Sequence, residues 1–118
     1  MTFPVTNTTR GTVLASRCRR AAGILSRGIG LLGRRGLADG EGLLITRTSA
    51  ITMVLMRFAI DAVFLDGSGR VVRAVERLRP WTPVASARGA QEVLELPVGT
   101  IARTRTQAGD VIRMGPWS

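Results

Sequence analysis

Along most of this chain, apolar and polar residues alternate in short runs broken by glycine, proline and aspartate. The β-branched run Thr12-Val13-Leu14 predicts a first strand within Thr6–Ala15. Between Arg19 and Leu32 the rhythm changes: Ala21, Ala22, Ile24, Leu25, Ile29, Leu31 and Leu32 fall on one side of a helical wheel. Gly23, Gly28, Gly30 and Gly33 interrupt that face, and each costs about 1 kcal/mol against alanine in a helix. A short helix followed by an irregular glycine-rich turn is the expected outcome. Strand patterns return at Gly42–Thr48, Ile51–Phe58 and Ile60–Leu65. Asp66-Gly67-Ser68-Gly69 then separates two β-branched runs and predicts a hairpin with Arg70–Leu78. Pro80 and Pro83 make residues 80–89 a loop. Gln91–Leu96 alternates as a half-buried strand ending at Pro97, and Gly109-Asp110 turns the chain into a last strand, Val111–Met114.

Many short strands with turn signals between them define a mainly β domain, a sandwich or squat barrel. At 118 residues the chain has the length of one domain with its own core, so 1–118 is read as a single domain, a monomer or small homo-oligomer. A membrane-spanning helix needs about 20 apolar residues. The longest apolar stretch, Ala50–Met56, is far shorter and is broken by Thr52. With no leader-like start to the chain, the expected compartment is the cytoplasm.

Charge adds an asymmetry. The net charge is +9 and every basic residue is arginine. Residues 1–38 hold seven arginines and no acid, whereas residues 39–118 hold ten arginines against eight carboxylates. Arg17, Arg19, Arg20, Arg27 and Arg35 therefore form a candidate surface for an anion or an acidic partner. Weak, non-specific association with nucleic acid or an anionic surface is expected of it. Aromatic residues interleaved with the arginines, which stack bases, are missing.

Composition also removes most ordinary catalysis. The chain has no histidine, lysine or tyrosine and one cysteine, Cys18. Serine–histidine or cysteine–histidine sites, Schiff bases, phosphate loops with lysine, and thiolate or histidine metal sites are excluded. No cofactor or metal is expected. Cys18, beside Arg17, Arg19 and Arg20, is read as a small buried hydrophobe or a neutral surface thiol rather than a reactive one.

Read in order, the segments SRGIGLLGRRGLADGEGLLI (26–45), MRFAIDAVFLDGSGRVV (56–72), RPWTPV (79–84), VLELPVGT (93–100) and AGDVI (108–112) resemble the bacterial and archaeal domain of unknown function family 192. The resemblance covers residues 10–114, with short tails. It implies a compact, jelly-roll-like sandwich or distorted barrel with one short helix and the glycine-rich segment packed against it, and it brings no established activity. Many relatives read Ile-His-Thr ahead of the Met-Arg-Phe-Pro-Ile-Asp stretch. This chain has Ile51-Thr52-Met53 there and Ala59 in place of the proline, so Thr52 cannot do any acid–base work that histidine does in them.

What survives is carboxylate chemistry and binding. Asp61, between Ile60 and Val63, is an acid inside an apolar strand, and Arg57 is a candidate ion-pair partner. The alternative is a carboxylate at the floor of a ligand pocket. Glu95, flanked by Leu94 and Leu96, resembles it. Trp81 could cap a pocket or plug a loop, and Met56 reads as core filling. The expected function is a non-catalytic module binding a small molecule or protein through a cleft near Arg34, Met56, Arg57, Asp61, Trp81 and Glu95. An electropositive adaptor and a carboxylate-dependent enzyme are the alternatives.

Overall fold

The computed structural model describes residues 1–21 and 35–115. The strands are β1 Phe3–Asn7, β2 Thr12–Ala21, β3 Glu41–Thr46, β4 Ala50–Ile51, β5 Ile60–Leu65, β6 Val71–Leu78, β7 Ala85–Ser86, β8 Glu92–Leu96 and β9 Ile112–Met114. Among the described residues one helix, α1 Thr100–Thr104, lies between β8 and β9. Seven strands form one sheet in the order β6-β5-β8-β3-β2-β1-β9, and β4 pairs with β7.

Within the large sheet the β2–β3 pair is parallel, with Arg19 beside Leu43 and Ala21 beside Ile45. The other neighbours run antiparallel. The sheet curls until its outer strands meet. Val71 N–H donates to Asp110 C=O and Ile112 N–H to Gly69 C=O, each at 2.8 Å. An isolated bridge joins Arg70 to Val111. The result is a half-barrel, which uses up the exposed edges a flat sheet would leave.

Alternation sorts the apolar residues onto two faces. The concave side gathers Val5, Leu14, Cys18, Leu44, Val63, Leu94, Leu96 and Ile101. The other face gathers Leu43, Ile45, Ala62, Phe64 and Val93, covered by Ile51, Met53, Met56 and Ala85 from the two long loops. β5 is buried along its whole length, as a strand covered on both faces must be.

The expected hairpin at 66–69 is present. Asp66 Oδ1 accepts from Ser68 N–H at 2.9 Å, Ser68 Oγ at 2.8 Å and Arg70 N–H at 3.0 Å. Three expectations need correction. The first strand is two strands, because Gly11 in a left-handed turn (φ 68°) reverses the chain between them. β2 continues through Ala21, so the helix expected from Arg19 does not begin there. Its remaining stretch, 22–34, lies outside the described residues. Ile51–Phe58 is mostly turn, since Met56 N–H closes onto Met53 C=O at 3.0 Å.

Candidate functional site

Two carboxylates are buried in neighbouring strands of the central sheet, and their environments are opposite. Asp61, on β5, pairs with Leu96 and faces the concave core. It is fully buried. Its Oδ1 accepts Arg77 N–H at 3.0 Å, and its Oδ2 accepts Ile101 N–H at 2.9 Å and Gly99 N–H at 3.2 Å. α1 starts at a left-handed Gly99 without a side-chain cap of its own. Asp61 therefore supplies from forty residues away the acceptor that first-turn N–H groups need. Arg57 stands exposed, and Asp61 is occupied by backbone donors. This carboxylate ties β5, β6 and α1 together.

Glu95, on β8, is the contrasting case. The register places it opposite Leu43 on β3 and Ala62 on β5, on the face away from the concave core. It is 6% exposed, and among the described residues no hydrogen-bond donor to it is found. Burial pushes its carboxyl up to about 7, because the charged form loses water without gaining a partner. Glu41 lies diagonally across β3 on the same face, with its Oε1 taken by Ala38 N–H at 2.7 Å. Arg19 shares the face too, beside Leu43. Two strand spacings separate it from Glu95, about 10 Å.

The remaining expected residues scatter. Arg17, Arg19 and Arg20 are exposed along β2, and Arg35 is exposed just before β3. Arg17 donates to Asp39 C=O at 3.0 Å, and Arg20 lies 5.7 Å from the Phe3 ring centroid. Arg27 and Arg34 fall outside the described residues. Met56 is buried in the core, and Trp81 is exposed at a loop tip. Thr52 is exposed, and its Oγ1 accepts Val54 N–H at 3.1 Å. Cys18 is buried, and that burial pushes its thiol up to about 12 against the pull of Arg20 and Arg19. It is an inert thiol at neutral pH.

Two polar features were not anticipated. An open polar cleft of ≈ 700 Å³ sits where β3 ends and β8 begins, with Arg20, Arg47, Thr48, Gln91 and Glu92 among its lining. A buried network joins Asn7, Asp110, Thr104 and Thr106. Asn7 Nδ2 donates to Asp110 Oδ2 at 2.9 Å, and Arg10 Nε adds an ion pair at 3.2 Å. Burial alone would raise the Asp110 carboxyl, but donors from Asn7, Arg10 and Gln107 N–H hold it below the usual carboxylate range. The network is satisfied internally and holds the β1–β9 end together. Among the described residues, no three metal-ligating side chains cluster, and no helix is long and apolar enough to cross a membrane.

A curled seven-strand half-barrel, with Asp61 spent on the fold, defines a small, mainly β domain. The profile of the domain of unknown function family 192, described as Uncharacterized ACR, matches residues 5–114, and the chain belongs to that family. A UPF0127 protein of Thermococcus sibiricus is 41% identical over 68 residues, 57% of this chain and 44% of that protein. One from Thermococcus kodakarensis is 38% identical over 74 residues, 60% of this chain and 45% of that protein. The matched stretches thus span less than half the length of these relatives. A crystal structure of a protein of unknown function from Novosphingobium aromaticivorans superposes with a TM-score of 0.82 at 27% identity, covering 93% of this chain and 83% of that one. A Sinorhizobium meliloti protein described as a candidate transcription regulator gives 0.81 at 22% identity, covering 97% and 96%. That likeness concerns the fold alone.

Proposed function

We propose that this protein is a non-catalytic module that binds a small polar molecule on the sheet face over Glu95. The observation that carries the reading is the burial of Glu95, 6% exposed, without a donor among the described residues. Burial raises its carboxyl without a compensating charge, and acids perturbed in this way concentrate at functional sites. A ligand that brings an N–H or O–H donor would supply what the fold withholds. Arg19, about 10 Å away on the same face, suits an acceptor or acidic group at the ligand's other end. The absence of histidine, lysine and tyrosine, and the commitment of Asp61 and Glu41 to backbone N–H groups, favour binding over turnover.

Thermal-shift measurements with free amino acids, aliphatic diamines and simple sugars test this on the wild type and on Glu95→Gln. The expected result is a rise in melting temperature in the wild type that the variant loses. A rise of equal size in both proteins would remove Glu95 from the site and the reading with it.

A further inference from the structure

The two long loops that cover the outer face lie side by side. β4 pairs with β7, Met53 N–H donates to Thr82 C=O at 2.9 Å, and Trp81 N–H donates to Met53 C=O at 2.7 Å. Each loop has a tight turn at its tip. In one, Met56 N–H reaches Met53 C=O; in the other, Thr82 N–H reaches Arg79 C=O behind Pro80. The third residue of each turn has positive φ, 69° for both Leu55 and Trp81. That is the type II position, where the backbone asks for glycine.

Both loops thus place a large apolar residue where its backbone is strained, and both side chains stand in solvent. Leu55 is 58% and Trp81 59% exposed, with Val84 at 60% and Val54 at 39% beside them in the chain. Strain held at the surface without any packing return marks a functional position, and adjoining exposed apolar groups mark a contact surface. The surrounding charge narrows the partner. Residues 53–59 and 79–84, which form the tips, contain Arg57 and Arg79 and no carboxylate.

We infer that the Leu55–Trp81 knuckle docks on an anionic lipid surface. Trp81 would sit at the headgroup level, Leu55, Val54 and Val84 would enter the acyl boundary, and the arginines would meet lipid phosphates. Three of the four apolar groups are aliphatic, which suits acyl chains and gives nucleic-acid bases nothing to stack on. The inference is independent of the ligand reading for Glu95, which lies on the sheet rather than at the loop tips.

The test is co-sedimentation with vesicles of phosphatidylcholine alone or with roughly a third phosphatidylglycerol. A Trp117→Phe background lets fluorescence report Trp81. The expected result is about tenfold stronger association with the anionic vesicles in about 0.05 M NaCl, weakened in about 0.5 M, with a blue shift of Trp81 emission. The double variant Leu55→Gly/Trp81→Gly separates docking from folding. Glycine relieves both strained turns, so the protein melts at the same temperature or higher while its vesicle association falls about tenfold. Three results would each overturn the inference. One is wild-type protein that stays in the supernatant with both vesicle types. Another is a double variant that binds as the wild type does. The third is transfer of the protein from anionic vesicles to single-stranded RNA at equal phosphate concentration, which would assign the knuckle to nucleic acid.

Discussion

Replacing Glu95 by glutamine keeps the size and shape of the side chain and removes only its ability to ionise. The free acid has an ordinary value of 4.5, and burial raises it to about 7 in the folded protein. Below the ordinary value, both folded and unfolded chains hold the proton, and the group adds no pH dependence. As pH rises from 4.5 to 7, the unfolded chain releases its proton while the folded one keeps it. Stability then falls by up to about 1.4 kcal/mol per pH unit. Above 7 both states are ionised and the loss levels off at about 3 kcal/mol. Glu41 from β3 and Arg17 and Arg19 from β2 face the same side, and they remain unchanged in the variant.

Urea denaturation of both proteins between about pH 4.5 and 8.5 reads this directly. The two should be nearly equal at the acid end, with Glu95→Gln about 3 kcal/mol more stable at the alkaline end. Subtracting the curves cancels contributions from Asp66 and Asp110, which both proteins share. A difference that stays flat across the range, or a variant less stable at alkaline pH, would show that Glu95 has a donor and is not desolvated. Together with loss of the ligand-induced shift, the predicted gain would be the usual trade of stability for function at a binding site.

Removing Asp61 should do the reverse: Asp61→Ala strands the N–H groups of Arg77, Gly99 and Ile101 and should cost about 4 kcal/mol in urea unfolding. Asp61→Asn, with one carbonyl oxygen left, should recover part of that loss. Gly69 has φ 85°, and a Cβ there would lie 2.8 Å from the Ile112 carbonyl oxygen. Gly69→Ala should therefore destabilise by about 2 kcal/mol or more, with faster hydrogen exchange at Ile112 and Val71 as the half-barrel's seam opens. Asp110 is held below its ordinary range, so its contribution is complete above that range and is lost as pH falls through the folded value. Asn7→Ala, which removes one of its donors, should shallow the acid limb of the stability–pH curve.

What could be read from sequence was what local chemistry decides. The Asp66–Gly69 hairpin is legible because one aspartate side chain and two glycines build the whole turn within five residues. The end of β8 is legible because a proline stops it. Its expected half-burial is not borne out: Val93, Leu94, Glu95 and Leu96 are all buried, since β8 is covered on both faces. α1 was missed because five residues cannot show a period, and the acceptor for its first turn comes from Asp61 in β5. The parallel β2–β3 pair is equally opaque, since it joins segments separated by a glycine-rich stretch. The turn at Leu55 carries no glycine to announce it, so Ile51–Phe58 reads as a strand.

The two acids buried within strands, Asp61 and Glu95, show why a candidate site is harder to read than a fold. Both stand in apolar strands, flanked by aliphatic neighbours, and sequence pattern makes them near equivalents with Asp61 the more conspicuous. Their functions divide on a fact that no local pattern contains: which backbone N–H groups the sheet's curl brings to each face. Curling toward α1 delivers three donors to Asp61 and spends it on architecture. The opposite face of the same sheet, one strand over, offers Glu95 only Leu43 and Ala62 as cross-strand neighbours. A fold that satisfies one buried carboxylate three times over has the means to satisfy another. Glu95 is buried at 6% exposure beside apolar cross-strand neighbours and its carboxyl is raised by desolvation alone, and glutamine at that position is the substitution that measures what its charge costs.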